Sequence, residues 1–260
     1  MSFTERIGAK INISLKITGV RGGFHTLLSR VCSVGLYDEV EMTARKDGGI
    51  FSFEETPEGF SEALYIPRLL RAHEILSRVA DLSDRAFRIV KRIPSGAGLG
   101  GSSAVAAAMA RLAARTRGKD IDVHVLRELG SDVPYMYIGG EAEVSDTGET
   151  VRRLPFEARS FVIAFPKGGV DTAAAFALYD AEGGGGVNDL YSAACRLNPA
   201  VREAEEFLRS RGAGNTYMTG SGCAVCAEFG AEEDADAFYD KIKGEINCLK
   251  TGTIPAYGKF

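Results

Sequence analysis

Ile93-Pro94-Ser95-Gly96-Ala97-Gly98-Leu99-Gly100-Gly101-Ser102-Ser103 is the stretch on which the interpretation of this 260-residue sequence depends, and AVAAAMARLAA follows it directly. Its closely spaced glycines let the backbone adopt positive φ and let N–H groups converge without obstruction from Cβ atoms. The alanine-rich run behind it predicts a helix from Ser102 to about Arg117. The first turn of such a helix offers unpaired N–H groups and a positive dipole end to an anion. Together these features predict a phosphate-binding loop.

The loop differs from the two commonest nucleotide-binding motifs. No lysine precedes the serine pair, so it is not a Walker A loop, and it lacks the spacing and context of a dinucleotide fingerprint. The alternative is a flexible linker in which Ser102 or Ser103 is the N-cap of the helix. A linker would not require Pro94 and Leu99 among the glycines, nor a strong helix immediately behind them. Phosphate binding is therefore the favoured interpretation.

Three further stretches carry candidate polar groups. Asp132, in Leu129-Gly130-Ser131-Asp132-Val133-Pro134-Tyr135, follows a predicted helix end and precedes a proline expected to keep the chain extended. Lys10 and Asn12 share one face of a predicted strand, because strand side chains alternate. Tyr217-Met218-Thr219-Gly220-Ser221-Gly222-Cys223 is a second glycine-rich turn. Each has an ordinary alternative: a turn aspartate, a solvent-facing strand lysine and a simple loop.

The composition of the chain argues against several classes of protein. With 31 basic and 35 acidic residues the formal charge is −4, which argues against nucleic acid as the main partner. No apolar run approaches the roughly 20 residues needed to span a bilayer, and the N-terminus does not resemble a signal peptide. We therefore expect no membrane association and a cytoplasmic location. The five scattered cysteines argue against a disulfide framework, and Cys223 and Cys226 are expected to be buried strand residues rather than zinc ligands.

The order of predicted elements favours an α+β protein. A domain boundary near residue 150 divides the chain into 1–150 and 151–260. Pro67 is expected to start a new helix within the helical region 58–79, and Gly183–Gly186 is expected to be a mobile surface loop. The remaining predicted strands are 8–19, 31–44, 50–54, 86–92, 141–146, 161–165 and 216–229, and the remaining predicted helices are 122–130, 172–179, 199–211 and 231–243.

These signals, in this order, resemble the superfamily of galactokinase, homoserine kinase, mevalonate kinase and phosphomevalonate kinase. The matching stretches are AKINISLKITGVRGGFHTLLS, PSGAGLGGSSAVAAA, LGSDVPYMYIGGEAEVSDTGE and MTGSGCAVCAEF. Within the superfamily, AKIN, Phe24-His25 and LGSDVP resemble the 4-diphosphocytidyl-2-C-methyl-D-erythritol kinases of the non-mevalonate isoprenoid pathway. The resemblance implies a two-domain α+β sandwich with its active site in the inter-domain cleft. It also implies ATP-dependent phosphorylation of the 2-hydroxyl of that cytidine-bearing polyol.

The resemblance also implies roles for individual residues. Asp132 is expected to accept the hydroxyl proton, with Lys10 as its charge partner. The predicted acceptor-binding residues are Asn12, Phe24, His25, Phe176, Gly220, Ser221 and Gly222. Among these, Phe24 and Phe176 would stack on cytosine and His25 would contact the cytosine end. Pro94 through Ser103 would wrap the triphosphate of ATP, with Ser103 near Mg²⁺.

One departure from the family leaves the acceptor open. The family loop reads GGGSS followed by Asp or Asn, whereas this chain has Gly100-Gly101-Ser102-Ser103-Ala104. A mevalonate-like or homoserine-like acceptor is the first alternative, and a non-catalytic module with the same fold is the second. The expected partners are ATP with Mg²⁺ and a small-molecule acceptor, with no tightly bound cofactor. The expected assembly is a monomer or weak homodimer.

Overall fold

Two β-sheets form the framework of the chain, whose computed structural model describes residues 2–45 and 48–258. The strands of the seven-stranded sheet are β1 (Phe3–Asn12), β2 (Lys16–Arg21), β3 (Phe24–Ala44), β4 (Phe51–Glu55), β5 (Arg85–Val90), β6 (Glu141–Asp146) and β7 (Thr150–Arg153). The strands of the four-stranded sheet are β8 (Ser160–Ala164), β9 (Asn215–Met218), β10 (Val225–Phe229) and β11 (Cys248–Gly252), in the order β11-β8-β10-β9. The helices are α1 (Glu62–Ser77), α2 (Gly101–Arg117), α3 (Val123–Leu129), α4 (Val133–Ile138), α5 (Thr172–Glu182), α6 (Tyr191–Leu197), α7 (Ala200–Ser210) and α8 (Glu232–Ile242).

The long strand β3 organises the first sheet. It pairs with β2 and then β1 along one edge, and with β6 and then β5 along the other. Strand β4 adds to β5 in the one parallel pairing of the described sheets. Strand β1 pairs with the middle of β3 and also contacts helices α2 and α4. The six residues from Ile7 to Asn12 are all buried.

Helix α2 lies in the core beside β1. Its residues from Ala104 to Ala114 are all buried, and most of them are alanine. Small side chains let the helix axis approach the sheet and its neighbours α1 and α4 closely, which a helix of larger residues could not do. Gly118 ends the helix in the left-handed conformation, with φ of 66°. The predicted helix from Ser102 to about Arg117 is confirmed.

The second sheet has its own apolar core beneath α5 to α8. Valines and alanines of β8 and β10 pack there with residues such as Leu190, Val201 and Leu208. Cys223 and Cys226 are buried in and beside β10, as predicted. Within the described residues, no group of three or more metal-ligating side chains is gathered in one place. No described helix has the length and apolarity that crossing a membrane requires.

The predicted α+β class is confirmed, but the strand predicted over residues 8–19 is wrong. Strand β1 ends at Asn12, and the N–H groups of Ile13 and Ser14 both donate to Arg30 O. Leu15 then forms an isolated bridge with Asn188 before β2 begins. The chain therefore leaves the first sheet to contact the second half of the molecule. Alternation of apolar residues continues through this break, so the pattern did not reveal it.

Two proline predictions are wrong. Pro67 lies inside the continuous helix α1 instead of starting a new one. Its ring displaces one hydrogen bond, to the carbonyl of Ala63, and Ala63 is exposed so that water can satisfy that group. Pro134 does not keep the chain extended, since it lies in the first turn of α4 with Asp132 as N-cap. A proline costs little there because its missing N–H has no helical partner.

The domain boundary at residue 150 stays a prediction. Strand β7 pairs with β6 in the first sheet, and the second sheet begins at Ser160, so the chain passes between sheets in residues 154–159. The C-terminal segment returns to the first sheet through bridges of Thr253 with Val34 and of Ala256 with Gly139.

Candidate active site

One cleft of about 590 Å³ collects most of the residues predicted to act. Its walls come from β1, the glycine loop, α1, α3 and the start of β3, together with Thr172, Phe176 and the turn after β9. The predicted residues that line it are Lys10, Asn12, Phe24, His25, Gly96, Gly98, Gly100, Gly101, Ser102, Ser103, Asp132, Phe176, Ser221 and Gly222. Those that do not line it are Pro94, Ser95, Ala97, Leu99 and Gly220. Of these, Ala97 and Leu99 are buried and fix the loop to the core.

The glycine loop turns three times through backbone that other residues rarely adopt. Gly96, Gly98 and Gly100 have φ of 76°, 83° and 77°. Gly100 is the N-cap of α2, with no side-chain hydrogen bond to the first turn. The alternative in which Ser102 or Ser103 is the N-cap is therefore wrong. Both serines lie within the helix and line the cleft, so their hydroxyl groups are not used for capping.

The glycine loop and the turn between β9 and β10 are in direct backbone contact. A Cβ atom on Gly98 would lie 2.1 Å from Thr219 O, and one on Gly222 would lie 2.0 Å from Gly98 N. The N–H of Ala224 donates to Ala97 O at 3.1 Å. The single strand predicted over 216–229 is accordingly two strands, β9 and β10, separated by this turn. The two loops thus form one surface of the cleft.

Lys10 and Asp132 face each other across the floor of the cleft. Lys10 Nζ lies 3.9 Å from Asp132 Oδ2 and also donates to Asn12 Oδ1. The Lys10 side chain is 7% exposed, so the solvent-facing alternative for this strand lysine is wrong. The Asp132 side chain is 45% exposed and open to a ligand. Its position follows from Gly130, whose φ of 154° ends α3, and from the immediate start of α4.

Aromatic side chains lie at another end of the cleft. The His25 ring stacks on Phe176 with centroids 4.5 Å apart, and its Nε2 is 2.7 Å from Asp180 Oδ1. Phe24 is 62% exposed, and the Arg127 guanidinium lies over its ring at 5.7 Å. The rings predicted to bind cytosine therefore line the same cleft. In this structure Phe176 stacks on His25, so the cytosine sandwich stays a prediction.

Three arginines that the sequence did not single out also line the cleft: Arg68 and Arg71 of α1, and Arg127 of α3. Arg68 lies one turn after Tyr65, whose hydroxyl donates to Gly101 O at 3.1 Å and so fixes α1 to the first turn of α2. Within the described part of the chain, Arg68 and Arg71 have no hydrogen bond or ion pair. Exposed helix arginines are common, so no sequence signal distinguished these from others.

A buried ion pair anchors the chain where it enters the glycine loop. Asp38 and Lys91 have fully buried side chains, with Lys91 Nζ 2.8 Å from Asp38 Oδ2. Asp38 Oδ1 accepts from the N–H groups of Arg92 and Ile93, each at 2.8 Å, and Lys91 Nζ donates to Ile93 O. Burial raises the pKa of Asp38 and lowers the pKa of Lys91, and each charge opposes the shift of the other.

Models of two domain families match the chain. The model described as GHMP kinases N terminal domain matches residues 68–143, and the model described as GHMP kinases C terminal matches residues 186–247. The first match includes the glycine loop and Asp132, and the second includes the turn after β9.

Whole-chain comparisons agree with these matches. The chain is 31% identical to a 4-diphosphocytidyl-2-C-methyl-D-erythritol kinase of Streptomyces avermitilis, with 98% of this chain and 97% of the relative covered. It is 30% identical to the Nitrobacter hamburgensis protein of the same name, with 89% and 88% covered. A crystal structure of 4-(cytidine 5′-diphospho)-2C-methyl-D-erythritol kinase is similar in fold, with a TM-score of 0.76, 24% identity and coverage of 98% and 100%. Homoserine kinase from Cytophaga hutchinsonii also shares the fold, at a TM-score of 0.64 and 16% identity over 98% and 95% of the two chains.

Proposed function

Because this chain belongs to the 4-diphosphocytidyl-2-C-methyl-D-erythritol kinase family of GHMP kinases, we propose that its cleft transfers the γ-phosphoryl group of ATP to the 2-hydroxyl of that acceptor. The chain is an ATP-dependent small-molecule kinase of the non-mevalonate isoprenoid pathway. The observation that carries the assignment of roles is the Lys10–Asp132 pair, 3.9 Å apart in the cleft that the glycine loop also lines.

Asp132 is the proposed general base. Its exposed carboxylate accepts the proton of the acceptor hydroxyl as the oxygen attacks the γ-phosphorus, and the bond to the β,γ-bridging oxygen breaks to release ADP. The ammonium group of Lys10 offsets negative charge that develops on the transferred group. Asn12, which accepts from Lys10 and donates to Ser29 Oγ at 2.6 Å, holds the lysine in place.

The glycine loop is the proposed triphosphate site. The bare backbone at Gly96, Gly98 and Gly100 and the first turn of α2 present N–H groups to the phosphates. Magnesium enters as the MgATP complex, with Ser103 as the proposed hydroxyl near the ion. Glu128 and Asp132 are the acidic residues among those that line this cleft. We further propose a monomer or weak homodimer in the cytoplasm, acting on these two small substrates.

The proposed function is tested by measuring ADP release from the wild-type protein with 4-diphosphocytidyl-2-C-methyl-D-erythritol, mevalonate and homoserine as acceptors. We expect turnover with the first alone. The Asp132→Asn variant should lose at least about 100-fold in turnover while its ATP affinity stays within about threefold, since a general base supplies about 10²- to 10⁴-fold. Near-wild-type turnover of this variant would refute the role of Asp132. Turnover with a different alcohol would refute the acceptor.

A further inference from the structure

Arg127 is held in the cleft by one nitrogen and leaves two others available. Its Nε donates to Thr147 Oγ1 at 3.3 Å, and its guanidinium carbon lies 5.7 Å from the centre of the Phe24 ring. The side chain is 28% exposed and lines the cleft. Over residues 2–45 and 48–258, its two terminal nitrogens have no hydrogen-bond or ion-pair partner. The side chain is thus oriented before any ligand binds.

The nearest carboxylate, that of Glu149, does not occupy the terminal nitrogens of Arg127. Glu149 Oε2 is 4.0 Å from Arg127 Nε, but Glu149 already pairs with Arg21 and accepts from the N–H and hydroxyl of Thr147 at 3.0 and 2.8 Å. Burial opposes ionisation of Glu149, yet the Thr147 hydroxyl, a backbone N–H and Arg21 together lower its pKa. Glu149 therefore stays ionised and satisfied by these partners. The terminal nitrogens of Arg127 keep their full hydrogen-bonding capacity.

The same contacts connect Arg127 to both ends of the proposed acceptor site. Phe24, under the guanidinium, is one of the rings predicted to stack on cytosine. Thr147 belongs to the turn between β6 and β7, and a Cβ atom on the next residue, Gly148, would lie 2.3 Å from Ser131 O. That turn therefore packs directly against the neighbour of Asp132. Arg127 therefore contacts Phe24 directly and, through Thr147 and the neighbouring Gly148, packs beside the residue that precedes Asp132, and all three of Phe24, Arg127 and Asp132 line the same cleft.

The acceptor carries a diphosphate between its cytidine and its polyol, with about two negative charges at neutral pH. Guanidinium groups bind phosphate oxygens through paired N–H bonds, which are stronger than hydrogen bonds between neutral groups. We propose that the two terminal nitrogens of Arg127 bind this diphosphate and so select cytidine-diphosphate-linked polyols over short alcohols. This inference deepens the proposed function and rests on it. It assigns specificity to a residue that lies in neither the glycine loop nor the Lys10–Asp132 pair.

The test compares cytidine with cytidine 5′-diphosphate as competitive inhibitors of the acceptor at saturating ATP. In the wild-type protein the diphosphate should bind about 10- to 100-fold more tightly than the nucleoside, the range expected for charge-assisted hydrogen bonds. Arg127→Gln should reduce that ratio to about threefold or less and raise KM for the acceptor by a similar factor. The inhibition constant of cytidine and KM for ATP should stay within about threefold, because neither depends on the diphosphate contact.

Arg152→Gln is the matched control. Arg152 is an exposed arginine of β7 that pairs with Glu143 and does not line the cleft, so its loss should leave the inhibitor ratio unchanged. Arg127→Lys keeps the charge without the paired geometry and should retain only part of the ratio. An unchanged ratio in Arg127→Gln, or an effect on KM for ATP in place of the acceptor, would overturn the inference while leaving the proposed function intact. A wild-type protein that neither binds cytidine nor phosphorylates the acceptor would overturn both.

Discussion

Substituting Asp38 by asparagine tests whether the buried ion pair stabilises the entry to the glycine loop. Asparagine has nearly the same shape, and its carbonyl oxygen can still accept from the N–H groups of Arg92 and Ile93. What the variant removes is the negative charge 2.8 Å from Lys91 Nζ, in a site where both side chains are fully buried. Lys91 would then be an uncompensated buried cation or would have to lose its proton.

Asp38→Asn is expected to lower the free energy of unfolding by about 3–5 kcal/mol, the range found when one partner of a buried ion pair is removed. At about 2–4 °C per kcal/mol for a chain of this size, Tm should fall by about 6–20 °C. The Asp38→Asn/Lys91→Met double variant removes both charges and should cost less than the sum of the two single variants. Glu54→Gln, which breaks the exposed pair with Arg88, should leave Tm nearly unchanged because water already screens that pair.

The pH dependence of this variant has a definite sign. Burial lowers the pKa of Lys91, and loss of Asp38 removes the charge that opposed this shift. The unfolded chain then binds a proton that the folded chain lacks, so stability is lost as pH falls and regained as pH rises toward about 10.4, the ordinary lysine value. The gap in Tm between variant and wild type should therefore narrow from pH 7 to pH 10. Thermal melts by circular dichroism measure this. A Tm loss below about 2 °C at pH 7, or a gap that widens with pH, would refute the reasoning.

Three further predictions concern the cleft. Gly98→Ala should weaken ATP binding by at least about tenfold, as measured by equilibrium titration. The reason is that Gly98 has φ of 83° and an added Cβ would lie 2.1 Å from a backbone oxygen. Unaltered affinity would contradict the close contact of the two loops. Phe24→Ala and Phe176→Ala should each raise KM for the cytidine-bearing acceptor by about 5- to 100-fold, the range for loss of one base–ring stack. Steady-state kinetics measure this, and an unchanged KM would argue against stacking. Arg68→Gln and Arg71→Gln should raise KM for ATP by about tenfold with KM for the acceptor unchanged, and the opposite pattern in the same assay would place them at the acceptor.

The glycine loop and its helix could be predicted from the sequence because both are local. Closely spaced glycines, a proline before them and an alanine-rich run after them determine backbone conformation over a few residues, and the structure has the loop and α2 where they were expected. The same local reasoning failed at Pro67 and Pro134. Helix α4 begins at Pro134, because its first turn does not need the missing hydrogen bond. Helix α1 continues through Pro67, because the exposed carbonyl of Ala63 can bond to water instead.

The cleft arginines and the buried ion pair could not be predicted, since both depend on tertiary structure. Arg68, Arg71 and Arg127 resemble ordinary solvent-facing helix residues until α1 and α3 are packed beside the glycine loop. Asp38 and Lys91 are far apart in sequence and meet because β3 and β5 are neighbours in the first sheet. The proximity of Lys10 to Asp132 also depends on tertiary structure, and family resemblance was the one reason to expect it.

The backbone contact between the two glycine-rich loops would link the two proposed binding sites. A ligand that orders the Gly98 loop also restricts the Gly222 turn, since no gap exists between them to absorb a displacement. Binding of the first ligand then includes most of the entropy loss of ordering both segments. The second ligand should bind more tightly, because the segments are already ordered. Each substrate should accordingly raise the affinity of the enzyme for the other by the same factor, whichever binds first.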